Sequence, residues 1–139
     1  MGEPAPQKKY TDPNQALGAP NFVSVRQGNF VSLGCQGTLI AEFVDNVLID
    51  IKGPDLYIFE VGPRIEPTKL AISADGKKWT HVGEISGGKA EIDIAPHMNG
   101  QSYFRFVRLT DLKKGCRGKT PGADIDAIGA IGSALQYSL

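Results

Sequence analysis

Apolar and polar positions alternate along this chain in short runs, each stopped within a few residues by Gly, Pro, Asn or Asp. Such runs occupy Phe30–Leu33, Thr38–Phe43, Val47–Ile51, Leu56–Glu60, Lys69–Ser73, Lys78–Val82, Ala90–Ile94, Phe104–Asp111 and Ile125–Ile131. Successive side chains of a strand point to opposite faces, so Thr38-Leu-Ile-Ala-Glu-Phe43 and Lys69-Leu-Ala-Ile-Ser73 read as half-buried strands. Phe104-Arg-Phe-Val-Arg-Leu109 carries apolar residues on both faces, which suits a central strand. Ser73-Ala-Asp-Gly-Lys-Lys-Trp79 reads as a hairpin, with Asp75-Gly76 in the turn and Trp79 returning to the core. No segment repeats its apolar residues at helical spacing. Nine short strands without helices to cover a parallel sheet predict an all-β fold, an antiparallel β-sandwich of jelly-roll type. Residues 1–14, polar and Pro-rich, read as a flexible lead-in, 15–135 as a single domain and 136–139 as the start of a linker. Met1-Gly2 and Ser138-Leu139 have the look of the edges of a piece of a longer protein.

Composition narrows the classes of partner. The 139 residues suffice for a core that needs neither metal nor disulfide to exist. Fifteen Lys and Arg balance fifteen Asp and Glu, without the basic patch of a nucleic-acid binder. No apolar stretch is long enough to cross a bilayer, so no membrane insertion by this segment is expected. Cys35 and Cys116 have no CxxC spacing and no neighbouring His, which argues against zinc and against a thiol nucleophile. Two readings of them stand: separate buried thiols, or a long-range disulfide contributing about 4 kcal/mol in the chain-entropy model.

Candidate chemistry centres on Gly122-Ala-Asp-Ile-Asp-Ala-Ile-Gly-Ala-Ile131, where Asp124 and Asp126 stand two apart in an otherwise apolar run. On a regular strand both carboxylates share a face, and two such charges beside a core need compensation. Calcium, bound by irregular sets of oxygens, is one answer. The acidic candidates are Asp45, Asn46, Asp50, Asp55, Glu60, Asp111, Asp124 and Asp126, and the expected structural calcium ligands are Asp55, Glu60, Asp124 and Asp126. The alternatives are carboxylates that cap turns and satisfy backbone N–H groups, or that pair with Arg64, Arg105 or Arg108.

A sugar-binding surface needs an exposed aromatic ring and polar groups in a cleft. Tyr57, His97 and Tyr103 are the ligand-binding candidates, with Ala95-Pro-His-Met-Asn-Gly-Gln-Ser102 as the loop of the kind that carries binding in β-sandwiches. Trp79 is assigned to packing. No catalysis is expected: there is no Gly-x-Ser-x-Gly elbow, no HExxH and no phosphate loop, and His81 and His97 have no Cys or Ser partner at a catalytic spacing. Asp124 and Asp126 stand too close and too parallel to divide the work of glycoside hydrolysis.

The segments Ile72-Ser-Ala-Asp-Gly-Lys-Lys-Trp-Thr-His-Val-Gly83 and Tyr103-Phe-Arg-Phe-Val-Arg-Leu-Thr-Asp111 resemble those of galactose-binding-domain-like (discoidin-type) β-sandwiches. Across residues 14–134 the ordered landmarks ALGAPN, FVSLGCQGTLIAEF, GPDLYIFEVG, SADGKKW, FRFVRLTD and PGADIDAIGAIGSA resemble a domain of bacterial exported and cell-envelope proteins, found ahead of peptidoglycan-binding domains of the outer-membrane protein A type. The resemblance implies export to the periplasm, outer membrane or cell surface, where disulfides persist, and so favours a Cys35–Cys116 bridge. Related sequences tend to carry a DGxGxD loop where this chain has Asp50-Ile-Lys-Gly-Pro-Asp55, in which Lys52 either weakens a cation site or points away from it. The expectation is a non-catalytic binding or adhesion module, monomeric as a fragment, whose partner is a glycan or an envelope protein. The alternative is a structural spacer or assembly domain with no small ligand.

Overall fold

A computed structural model describes residues 2–61, 66–112, 116 and 118–135. Among these residues ten strands follow one another: β1 (Val31–Ser32), β2 (Thr38–Glu42), β3 (Asn46–Leu48), β4 (Leu56–Val61), β5 (Thr68–Ser73), β6 (Thr80–Ile85), β7 (Lys89–Ile92), β8 (Phe106–Asp111), β9 (Asp124–Ala130) and β10 (Ser133–Leu135). They form two four-stranded antiparallel sheets, ordered β1-β9-β4-β7 and β2-β8-β5-β6, with β3 and β10 as a two-stranded ribbon. The protein is thus an all-β antiparallel sandwich, as the alternation predicts. The only helical pieces among the described residues are three short 3-10 turns, Lys8–Tyr10, Pro13–Ala16 and Ala95–His97.

Period-two burial is strict in β4 and β8, whereas β5, expected to be half-buried, buries Leu70, Ala71, Ile72 and Ser73 in succession because it lies between β8 and β6 and its pairing with β6 slips between Leu70 and Ala71. In β4, Leu56, Ile58 and Glu60 are buried while Tyr57, Phe59 and Val61 are half-buried. In β8, Val107, Leu109 and Asp111 are buried while Phe106, Arg108 and Thr110 are half-buried, and the strand lies between β2 and β5 as its two-sided apolar pattern requires. Between the sheets lies one core, including Leu39, Leu56, Ile58, Leu70, Ile72, Phe104, Val107, Leu109 and Ile125. Each such side chain contributes about 1.5–3 kcal/mol relative to exposure.

Two departures from the alternation matter for the site. The pairing of β4 with β9 slips between Phe59 and Glu60, so that Phe59 faces Ala127 and Glu60 faces Ile125, leaving Asp126 as an extra residue. Core residues are accordingly Ala123 and Ile125 before the bulge and Ile128 and Ala130 after it. The same-face argument for Asp124 and Asp126 fails for this reason: the bulge breaks the regular alternation on which it rests. The second departure is the stretch expected to be a flexible lead-in, which lies against the sandwich. Gly2 N donates to Leu33 O at 3.0 Å, Glu3 N to Cys35 O at 3.0 Å and Gln7 N to Lys119 O at 3.0 Å. Tyr10 is buried and stacks on Phe30, ring centroids 5.3 Å apart. Main-chain bonds and one buried ring hold this segment, and neither leaves a periodic trace in the sequence. The expected linker, 136–139, lies outside the described residues.

Cys35 and Cys116 are disulfide-bonded, with Cα atoms 5.7 Å apart. Beside them Gly34 and Gly122 take positive φ of +74° and +82°. A Cβ on Gly122 would run into the Gly34 carbonyl, so two loops meet here backbone against backbone.

Candidate functional site

The buried carboxylates are staples for backbone N–H groups. Asp55, fully buried, accepts from Ile51 N on Oδ1 at 2.7 Å and from Ile94 N on Oδ2 at 2.9 Å. Asp111 accepts from Gln36 N at 3.0 Å and Ala123 N at 3.0 Å, joining the turn that carries Cys35 to the segment before β9. Asp126 accepts from Asn21 N and Phe22 N, both at 3.2 Å on Oδ2. Asp124 accepts from the Ser32 hydroxyl, and Glu60 accepts from Glu66 N at 2.6 Å. These bonds tie loops to one another and to the strands, with Ser32–Asp124 joining β1 to β9, and a buried carboxylate becomes tolerable when N–H or O–H groups point at it.

The expected calcium set does not converge. Asp55 stands with the loop between β3 and β4, Asp126 with the Asn21 loop, and Glu60 and Asp124 near one another beside Asp111. Among the described residues, Asp55 groups instead with Asp50 and Asp93, the three offering oxygens within 4.8 Å of one another. The arginine alternative is not realised by Arg108 or Arg105, which lie over the rings of Trp79 and Tyr103 at 4.4 and 5.8 Å. Arg64 lies outside the described residues.

Electrostatics follow from this burial. Desolvation pushes Glu60 up to about 8, with the Glu66 N–H bond opposing and the charges of Glu66, Asp124 and Asp111 adding to the rise. Desolvation also pushes Asp124 up to about 7, against the Ser32 and Thr120 hydroxyls. Asp50 is raised by partial desolvation and then by the charges of Asp55 and Asp93. Asp75 is lowered, because the N–H groups of Lys78 and Lys77 point at its carboxylate.

The aromatic candidates separate. Tyr57 is half-buried on the outer face of β4, packed edge-on to Phe59 at 5.2 Å, and occupies the space above Gly129 that a Cβ there would need. Lys89 lies over Phe59 at 5.6 Å and pairs with Glu91 at 3.0 Å. His97 ends a 3-10 turn and Tyr103 lies ahead of β8, both half-buried. None of these three candidates lines either of two clefts formed by described residues. One, of about 290 Å³, lies along β5 and β6 at Lys69, Leu70, His81, Gly83 and Glu84. The other, of about 180 Å³, lies where the 73–80 turn meets the 99–104 loop and is lined by Trp79 with Asp75, Lys78, Thr80, Asn99 and Gln101 among others. Trp79 therefore does not return wholly to the core: it is half-buried, and Arg108 lies on its ring. Asn99 and Gln101 belong to the loop singled out from sequence, but only the fold brings that loop to the indole.

No protein-family model matches the chain. No curated protein matches it either. Among solved structures, the C-terminal domain of a chitobiase from Bacteroides fragilis is similar at 16% identity and a TM-score of 0.42, over 70% of this chain and 63% of that one. The chain thus spans less than two thirds of that structure, and a likeness this distant decides nothing about what the protein does.

Proposed function

We propose that this chain is a non-catalytic recognition module of an exported bacterial envelope protein, a galactose-binding-domain-like sandwich that binds glycans. The observation that carries the reading is the fixing of its loops. Asp55, Asp111 and Asp126 spend their carboxylates on backbone N–H groups of the loops around the sandwich, which is how a surface is preorganised for binding. The disulfide supports an oxidising compartment. The test is a glycan array probed with the folded chain, followed by mass spectrometry of the bound glycans. Binding to a subset of glycans that are recovered unchanged supports the proposal, whereas cleaved glycans or an array without signal refutes it.

The second reading is a structural spacer or assembly domain that contacts another envelope protein and takes no small ligand, with Leu17, Val23 and Val44 exposed on its surface. Specific association with such a protein together with a blank array selects that reading. A structural calcium ion stays in the proposal only at Asp55, with Asp50 and Asp93 in place of Glu60, Asp124 and Asp126. A melting temperature raised by calcium and unmoved by calcium in Asp50→Asn/Asp93→Asn supports it, and identical melts in calcium and chelator remove it.

A further inference from the structure

We propose that the 180 Å³ cleft at Trp79 is a subsite for one neutral pyranose ring, the terminal residue of a glycan. The inference rests on the glycan-binding reading above and adds where the sugar sits and of what kind it is.

Three properties of the lining point to this ligand. The first is size: the cleft is smaller than the roughly 300–1,000 Å³ of drug-sized sites, so it takes a single ring and leaves the rest of a chain outside. The second is the pairing of an aromatic plate with groups that both donate and accept. Sugar hydroxyls do both, and the amides of Asn99 and Gln101 and the hydroxyl of Thr80 match them. The apolar C–H face of a pyranose suits the indole of Trp79, whose orientation the Arg108 guanidinium fixes at 4.4 Å. The third is charge: Asp75 and Lys78 cancel, so the lining has no excess positive charge to select an anionic sugar or a phosphate.

The backbone that carries these two amides is held in place before any ligand arrives. Gln101 N donates to Met98 O at 2.8 Å and His97 N to Ile94 O at 2.8 Å, while Met98 packs on the core. Ile94 N is in turn anchored by Asp55 at 2.9 Å. Asn99 sits at a φ of +47°, a left-handed conformation that Asn tolerates better than most residues. On the other wall, the Asp75 carboxylate is bonded to Lys77 N at 2.8 Å and Lys78 N at 2.9 Å, closing the turn that ends at Trp79. A backbone fixed in this way limits the ordering entropy lost on binding to that of the side chains.

Trp79 is the only tryptophan in the chain, so its emission reports on the cleft alone. The experiment titrates the full chain with methyl galactoside, methyl glucoside, methyl mannoside and N-acetylglucosamine, with glucuronic acid as the charged control, alongside the array. The expected result is a saturable change in emission with one or more neutral sugars. Half-saturation should lie near the millimolar range, about what a dozen heavy atoms provide. Gln101→Ala and Asn99→Gly, the latter keeping the left-handed backbone accessible, should each weaken that sugar about 2- to 12-fold, the effect of one lost hydrogen bond. Trp79→Phe, checked for a cooperative melt, should weaken it further on the array. If glycans bind on the array while the emission is unmoved and both amide variants bind as wild type, the subsite is wrong and the glycan reading survives. If glucuronic acid binds as well as the neutral sugars, the assignment to a neutral ring is wrong. Silence on both array and titration sinks the subsite and the reading beneath it.

Discussion

Asp55→Ala removes two hydrogen bonds and leaves the main chain of residue 55 able to keep its own. The Asp55 carbonyl still accepts from Ile131 N at 2.7 Å and Gly132 N at 3.0 Å, and its N–H still donates to Ile92 O at 2.8 Å. What is lost is the acceptor for Ile94 N, in fully buried surroundings, and for Ile51 N, which is partly buried. A bond to a charged acceptor is worth about 1.5–3 kcal/mol, and an orphaned buried donor costs a similar amount. Ile94 N should account for about 2–3 kcal/mol and Ile51 N, which water can reach, for about 1 kcal/mol. Against this, removing the charge relieves Asp50, whose carboxyl Asp55 raises. Relief of that exposed group is small, so the expected net loss is about 3 kcal/mol. For a domain of this length that corresponds to a fall in melting temperature of roughly 10 °C. The assay is equilibrium unfolding in urea followed by Trp79 emission, in which the midpoint should move and the slope should not. Asp55→Asn, which keeps one acceptor but turns an NH2 toward a donor, should fall between wild type and Asp55→Ala. Because Ile94 precedes the loop that bears Asn99 and Gln101, Asp55→Ala should also weaken sugar binding at a cleft it does not touch. A loss below about 1 kcal/mol at unchanged slope would refute the staple argument, since both donors would then have found other acceptors.

The bridge and the raised carboxyls give two further predictions. Cys35→Ser/Cys116→Ser opens a loop of 81 residues and should cost about 4 kcal/mol by chain entropy. That is a fall in melting temperature of roughly 10–20 °C, and a shift under about 3 °C would rule out the entropic account. Glu60, raised from 4.5 to about 8, and Asp124, raised from 3.8 to about 7, keep protons in the folded state that the unfolded chain releases. Their contribution is therefore most favourable below about pH 4 and is lost as pH rises toward 8, by at most about 1.4 kcal/mol per pH unit for each group. Thermal melts should show a lower melting temperature at pH 8 than at pH 5, and Glu60→Gln, which still offers an acceptor to Glu66 N, should flatten that slope; a melting temperature that rises over this window contradicts the protonated cluster.

Alternation of side chains is a local property, and it determined the sandwich class and the facing of β4 and β8, but not β10 (Ser133–Leu135), which no expected run covers, nor the facing of β5 and β9. β8 lies within its run and β4 exceeds its run by one residue, Val61, and both bury alternate residues as those runs require. The loop at 95–102 could be singled out, because Pro, Asn and Gly interrupt the alternation there. Tertiary structure decided the destinations of the polar groups. Asp126 meets the N–H of Asn21, 105 positions away, and a backbone donor leaves no mark in a pattern of side chains. A one-residue bulge at Asp126 separated two carboxylates that a regular strand would have paired. Asp55, Glu60, Asp124 and Asp126 read as one metal set because all are acidic beside apolar runs; they serve several loops because charge in a core is settled by whichever donors the fold brings within about 3 Å. The same holds for Trp79, whose turn was plain from Asp75-Gly76, while the amides that face it across a cleft arrive only when the two loops meet.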